Sequence, residues 1–390
     1  MYASSILEID REALKTNLEF FRQFVAEDVV ISSVVKGNAY GHGLEQFVPL
    51  AESLGVNHFS VYSADEAFMV KECLQGDSTI MIMGDLPDES MAWAIEEGIE
   101  FFVFEEGRLK QAIATAQKVG KPALAHIEIE TGMNRTGFDK HEWDVVANYL
   151  NNYPDHIVFR GICTHFAGAE SIANYVRIKK QRLKYREALA YFKQRGLEAQ
   201  VRHTCCSAAA VRHPDMHFDM VRMGIMQYGF WPSREVFIEH LKDQPRKEDP
   251  LKRLISWRSR VMSIKYIETG EFVGYGTTYL AHKPMRIAIV PIGYSHGFSR
   301  SLSNQGRALL HGLRVSVVGM VNMNCIAIDA SELPEVKRGD EVILIGRQGD
   351  LDISVASFGE LSDQLNYELL TRLPTSIPRV ITQKDKVLPK

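Results

Sequence analysis

Val29-Val30-Ile31-Ser32-Ser33-Val34-Val35-Lys36 is a β-branched run that ends on a lysine, and Gly37-Asn38-Ala39-Tyr40-Gly41-His42-Gly43 follows at once. Such a run fits a strand buried on both faces, so it delivers Lys36 to the carboxyl end of a sheet or barrel strand. That is the end at which α/β folds keep their chemistry. A lysine held among apolar groups loses part of its preference for the ammonium form, and its free amine can then condense with an aldehyde. A lysine that merely reaches for solvent from a strand end is the plainer alternative. The glycines behind it let backbone approach a ligand, and Tyr40 brings a hydroxyl suited to a phosphate.

Working outward from this strand, apolar runs at residues 58–61, 79–83, 100–104, 123–129, 157–164, 200–204 and 217–221 alternate with helical patterns such as 108–118 and 175–195. Eight βα units predict an α/β fold, a TIM-type (β/α)8 barrel over residues 11–240, with a doubly wound sheet as the alternative. The charged segment 239–252, which contains Pro245 and Pro250, reads as a linker. Beyond it, short strand patterns at 256–266, 285–291, 314–318, 325–329 and 341–345 predict a mainly β domain over 241–390, which residues 1–10 can join.

A chain of 390 residues is long enough for two domains, and a formal charge of −4 gives no electrostatic reason to expect nucleic acid. No run reaches transmembrane length and the first ten residues lack a signal pattern, so the expected setting is cytoplasmic. The five cysteines, at 73, 163, 205, 206 and 325, fit reduced thiols and lack metal-ligand spacing.

The segment 34–43 resembles the pyridoxal phosphate lysine motif of the alanine racemase family, with Gly37 where alanine is usual. Further segments resemble that family in its order along nearly the whole chain. The resemblance implies a barrel joined to a β domain, a homodimer with shared active sites, pyridoxal 5'-phosphate as cofactor and a part in cell wall biosynthesis. Racemisation needs an electron sink and an acid/base group on each face of the α-carbon. Lys36 is one such group, and Tyr275, in Val273-Gly274-Tyr275-Gly276, matches the family's catalytic tyrosine, supplied by the partner subunit. His165, in Thr164-His165-Phe166-Ala167, is carried over as its helper. Arg222, in Phe218-Asp219-Met220-Val221-Arg222-Met223-Gly224-Ile225, is placed to face the pyridine nitrogen and keep it unprotonated, with His203 to orient it.

Ser207, Tyr40, Tyr367 and the backbone amides of Gly224 and Ile225 are implied phosphate ligands, although Cys206 stands where asparagine is usual. Arg135, in Glu130-Thr131-Gly132-Met133-Asn134-Arg135, is implied for the substrate carboxylate. Glu128 occupies the place of a lysine that several family members carbamylate, and alternation in 125–130 puts His126, Glu128 and Glu130 on one interior-facing side. It is therefore expected to hold Arg135 directly.

The run Gly319-Met320-Val321-Asn322-Met323-Asn324 departs most, since Met320, Asn322 and Asn324 replace an arginine, a small residue and an aspartate. Asn322, Met323 and Tyr294 are expected in the substrate pocket. The reading is thus a racemase of L- and D-alanine, with serine or a broader amino acid range as the alternative. A decarboxylase of the same fold is disfavoured, because those enzymes place an acidic residue opposite the pyridine nitrogen. A non-catalytic cofactor-binding paralogue is the non-enzymatic alternative.

Overall fold

The computed structural model describes residues 3–242, 244–245, 247–362 and 366–383. Packing divides the chain into two compact units, one of Ala13–Lys36 and Val48–Lys252, the other of Met1–Glu12, Gly37–Phe47 and Arg253–Lys390. The chain opens with β1 (Ser5–Asp10), which belongs to the second unit.

The first unit is a closed parallel barrel. Its strands are β2 (Val30–Val34), β3 (His58–Val61), β4 (Thr79–Ile82), β5 (Glu100–Val103), β6 (Ala123–Glu128), β7 (Ile157–Cys163), β8 (Val201–Cys206) and β9 (Met220–Met223). It closes where β2 pairs with β9, Ser32 lying beside Arg222. Every residue of β3, β5 and β9 is buried, as expected for strands covered on both faces. Helices cover the outside. Tyr175–Gln194 turns Ile178, Gln181, Tyr185, Ala188 and Phe192 inward at helical spacing, and the Tyr185 hydroxyl donates to the Ile162 carbonyl at 2.8 Å. Glu106–Val119 starts under a cap from Glu105 and stops at Gly120, whose φ of 74° suits glycine.

The barrel interior is polar at its centre. Ser32, His58, Ser60, Glu100, His126, His203 and Arg222 are all buried. Gly161 in β7 makes room for this layer, because a Cβ there would lie 1.9 Å from His126 Nδ1.

The segment read as a linker begins inside the helix Arg234–Lys242. It ends still tied to the barrel, since Asn17 pairs both backbone groups of Lys252 at 2.8 Å. Its charge and prolines signalled surface chain, but a capped carbonyl and amide were invisible in composition.

The second unit is built on β10 (Ile255–Arg260), β11 (Ser263–Ile267), β12 (Met285–Val290), β13 (Arg307–Leu310), β14 (Leu313–Val318), β15 (Ile326–Asp329), β16 (Glu341–Gln348), β17 (Leu351–Ile353) and β18 (Arg379–Thr382). With β1 they run in the order β11-β12-β15-β14-β13-β16-β10-β1-β18, with β17 on β16. The strand expected over 256–266 is two strands. The chain changes partner at Val261 and Met262, whose amides bond Asp340 and Ile289 carbonyls, and β10 continues beside β1 and β16 while β11 pairs with β12.

Candidate active site

Lys36 lies two residues beyond the last residue of β2, and the strand end that leads to it is fastened from three sides. The Gln227 amide and the Tyr228 hydroxyl both donate to the Val34 carbonyl, at 2.9 and 3.0 Å, and the Val35 amide donates to Ser60. Ser33 completes the hold by donating to Gln227 at 2.7 Å. Lys36 itself stays open to solvent. Even so, burial of its stem and surroundings pushes its pKa below the usual lysine value, with Arg135 and Arg222 adding to the push and Glu66 opposing it. A larger share of free amine at neutral pH is the consequence.

The residues after Lys36 take an unusual conformation. Gly37, Asn38, Ala39, Tyr40 and Gly41 all have positive φ, between 51° and 81°. Their amides and carbonyls close a left-handed turn, with Gly41 N–H on Gly37 O at 2.9 Å. For the non-glycine members this conformation costs roughly 1–2 kcal/mol each, so neighbouring structure must hold it. Asn38 Oδ1 accepts from the Leu44 amide at 2.9 Å, and Arg379 donates twice to the Gly41 carbonyl, at 3.2 and 3.0 Å. A Cβ on Gly41 would meet the Leu370 carbonyl at 1.9 Å, so only glycine fits there. The turn buries Tyr40 and brings its ring to 5.9 Å from that of Tyr367. The two tyrosines singled out as phosphate ligands are therefore neighbours.

In the barrel, Arg222 is buried and meets no carboxylate among the described residues within ion-pair distance. It donates to His203 Nδ1 and to the carbonyls of Thr164 and Thr204, at 2.9 and 3.2 Å. Asp219 is spent elsewhere, on Arg202 at 2.7 Å. Ser207 opens the helix Ser207–Arg212 and accepts from the Gly224 amide at 2.8 Å, while Ile225 begins the 3₁₀ turn that follows. His165 feels Arg222, Arg135 and Lys36 together. Burial first and these three charges after it bring its pKa down to about 3, so the imidazole is neutral at neutral pH.

Arg135 lies exposed on a turn whose Gly132 and Asn134 amides are capped by Glu130, the latter at 2.8 Å. Glu128 does not clasp it directly. Its carboxylate accepts from the Thr136 hydroxyl at 2.7 Å, and Arg135 reaches it only through its field. Burial raises the Glu128 pKa, against the pull of Thr136, Arg135 and Arg222.

In the second unit Tyr275 sits 72% exposed at a turn between Gly274 and Gly276, both at positive φ. A Cβ on Gly276 would touch Met320 Sδ at 3.7 Å. Tyr294, Asn322 and Met323 are joined through backbone: the Tyr294 amide donates to Asn322 O and the Ser295 amide to Met323 O, each at 3.0 Å. Gly293 permits this approach, since its Cβ would fall 2.1 Å from Asn322 O.

Family models described as the alanine racemase N-terminal and C-terminal domains match residues 9–232 and 254–381. The alanine racemase of Leptospira interrogans serogroup Icterohaemorrhagiae is 32% identical over 382 residues, covering 97% of this chain and 96% of its own. The chain belongs to the alanine racemase family. The crystal structure of the Bacillus anthracis alanine racemase with bound L-Ala-P matches at a TM-score of 0.88 and 32% identity, over 100% of this chain and 97% of that one. The Bartonella henselae alanine racemase with covalently bound pyridoxal phosphate matches at 0.82 and 27%, over 97% and 100%.

In this alanine racemase family member, buried Glu100 and His58 had no motif to announce them, since Glu100 pairs with both His58 and His126 far away in sequence. The available signal was a polar type at the head of an apolar strand: His58 before Phe59, or Glu100 before Phe101. The donor set fits pyridoxal phosphate, with a lysine of lowered pKa just past a strand end and a buried arginine that meets no carboxylate among the described residues.

Proposed function

We propose that the protein is a pyridoxal-phosphate-dependent racemase of alanine in which Lys36 and Tyr275 act on opposite faces of the substrate α-carbon. The family makes it an amino acid racemase. The observation that carries the assignment of roles is Lys36 itself, a solvent-reached lysine of lowered pKa that shares its surroundings with Arg222, Arg135 and His165. The cofactor, once bound, supplies a sink for the electron pair left when the α-proton departs. Lys36 Nζ would hold it and, when released, take or return that proton on one face.

The Tyr275 hydroxyl would do the same on the other face, contributed by the second subunit of a homodimer. Its exposure leaves it available to a partner, as do the exposed Tyr266, Phe272 and Met323 on the same unit. His165, being neutral, would assist that hydroxyl by hydrogen bonding. Arg222 always carries its protons and cannot accept one from a ring nitrogen, so it would hold the pyridine unprotonated, with His203 behind it. Tyr40, Tyr367, Ser207 and the Gly224 and Ile225 amides would receive the phosphate. Arg135 and the Met323 segment would take the substrate carboxylate, beside Tyr294 and Asn322.

No helix among the described residues is long and apolar enough to cross a membrane, which supports a cytoplasmic setting. The test is to incubate the holoenzyme with L-alanine in deuterium oxide. D-alanine carrying an α-deuteron is expected; unchanged L-alanine without deuterium would sink the assignment. Borohydride treatment should leave the pyridoxyl group on the Lys36 peptide.

A second reading, serine as substrate, is favoured by one observation. Asn322 Oδ1 is buried without a hydrogen-bond partner among the described residues, while its Nδ2 faces Cys325. A substrate hydroxyl would supply the missing donor. Comparison of kcat/KM for alanine and serine decides between them, and Asn322→Ala should lower the serine value alone if serine is the substrate.

A further inference from the structure

Arg222 is one end of a hydrogen-bond chain that crosses the barrel to a carboxylate with no part in the site described above. His203 Nε2 lies 2.8 Å from His126 Nδ1, and His126 Nε2 lies 2.9 Å from Glu100 Oε2. The chain passes from β8 to β6 over Gly161 of β7, the position where a Cβ would strike His126. A second branch reaches the same oxygen. His58 Nε2 is 3.4 Å from Glu100 Oε2, its Nδ1 is 2.8 Å from Ser32 Oγ, and Ser32 meets Ser60. Arg160 donates to the other carboxylate oxygen.

The direction of every proton in this network follows from its two ends. A guanidinium only donates, so His203 Nδ1 must be a bare acceptor. A neutral His203 then carries its proton on Nε2 and donates to His126 Nδ1. His126 in turn carries its proton on Nε2 and donates to Glu100. Both imidazoles are neutral: burial lowers the pKa of each, and the charge of Arg222 lowers that of His203 further. Burial alone would raise the Glu100 pKa, but hydrogen bonds from His126 and His58 outweigh it and leave the group well below the usual carboxylate range. The carboxylate is thus a common acceptor at which both branches end.

We propose that Glu100 is a positioning residue for Arg222, fixing through the tautomers of His126 and His203 the one hydrogen-bond direction that lets His203 hold the guanidinium. Without an obligatory acceptor at Glu100, His126 can reverse. His203 Nδ1 then gains a proton that faces an Arg222 N–H, and the guanidinium loses its seat. The consequence for cofactor binding rests on the role given to Arg222 above, whereas the tautomers stand on the geometry alone.

Nitrogen-15 spectra of histidine-labelled protein, recorded without and with pyridoxal phosphate at neutral pH, test this. His126 and His203 should each show one species, protonated on Nε2 and bare on Nδ1. Glu100→Gln, which keeps the shape but mixes donor with acceptor, should add an Nδ1-protonated population at His203. It should also weaken cofactor affinity about tenfold, the scale of one hydrogen bond to a charged group. Glu100→Asp, which keeps the acceptor, should restore the single pattern in part. A proton on His203 Nδ1 in the wild type overturns the proposal, and those spectra decide alone if the variants do not fold. A folded Glu100→Gln with unchanged tautomers overturns it as well. Absence of racemisation in deuterium oxide with the tautomers as stated would instead overturn only the role of Arg222.

Discussion

The barrel and the second unit carry their chemistry in opposite ways. In the barrel, Arg222, His203 and His126 are buried and bonded to one another, so these three side chains are also part of the packing. In the second unit, Tyr275, Met323 and Tyr294 are 72%, 55% and 41% exposed. On the roles proposed above, fold and function are therefore coupled in the first region and separable in the second.

The sharpest test of that separation is Tyr275→Phe. Loss of one positioned acid/base group lowers the rate by about 10²–10⁴-fold. Stability should stay within roughly 0.5 kcal/mol, because an exposed hydroxyl makes no packing contribution. Racemase assays and a urea curve on the same preparation check both halves. Near-normal turnover would remove Tyr275 from the reaction, and a large loss of stability would break the contrast between the two regions.

Gly161→Ala probes the coupled region. The added Cβ would sit 1.9 Å from His126 Nδ1, so the imidazole must move, and overpacking of this kind costs about 1–3 kcal/mol. Gly161 is not at positive φ, so the penalty comes from His126 and not from backbone strain. Cofactor affinity should fall together with stability, since the displaced ring is the one that supports His203. An unchanged urea midpoint would show that the interior layer has slack.

Acid should act on the same layer. Half-buried His165 and buried His42 have pKa values brought down to about 3 and about 4, chiefly by loss of solvent, and those of buried His126 and His203 are lowered too. In the unfolded chain these groups titrate near 6.5. Between the two values the unfolded state binds protons that the folded state refuses, so stability is fully present above about pH 6.5 and declines as pH falls toward 4. Glu8 and Glu128, raised by burial, act in the other direction but are fewer. The urea midpoint should therefore drop between pH 7.5 and pH 5, and a flat profile would contradict the burial of neutral histidines.

The same contrast explains what could be read from the chain. Strand cores such as 58–61 were legible to the residue, since their apolar runs are short and bounded by turn signals. Lys36, Arg222 and Tyr275 could be singled out because each sits inside a local motif, and His203 only through its place in the family resemblance. Glu100 and His58 were not, because their meaning lies in partners 26 to 42 residues away and in the missing Cβ of Gly161. β18 was missed for a related reason: it is the sheet edge, and it pairs in parallel with β1, a strand from the opposite end of the sequence that was expected to join this domain. Local pattern reports burial, and only the closed barrel reports who shares it.

The smallest effect is expected at Glu128, where sequence and structure part company. The sequence leads to a carboxylate gripping Arg135, and breaking such a charge-assisted pair would raise KM by roughly tenfold or more. The structure instead gives Glu128 the Thr136 hydroxyl as its hydrogen-bond partner, with Arg135 exposed on the turn beyond. Glutamine at this position keeps an acceptor for Thr136 and the same shape, and loses only the field that the carboxylate exerts on Arg135. A field between a buried and an exposed group is screened, and such pairs are worth about 0–1 kcal/mol. Glu128→Gln should therefore raise KM for alanine only a few-fold, with kcat and cofactor absorbance unchanged. Thr136→Val, which strands the carboxylate without its donor, should cost more stability than Glu128→Gln. A KM raised tenfold or more in the glutamine variant would show that the carboxylate closes on Arg135 once substrate is present, and would restore the direct pairing.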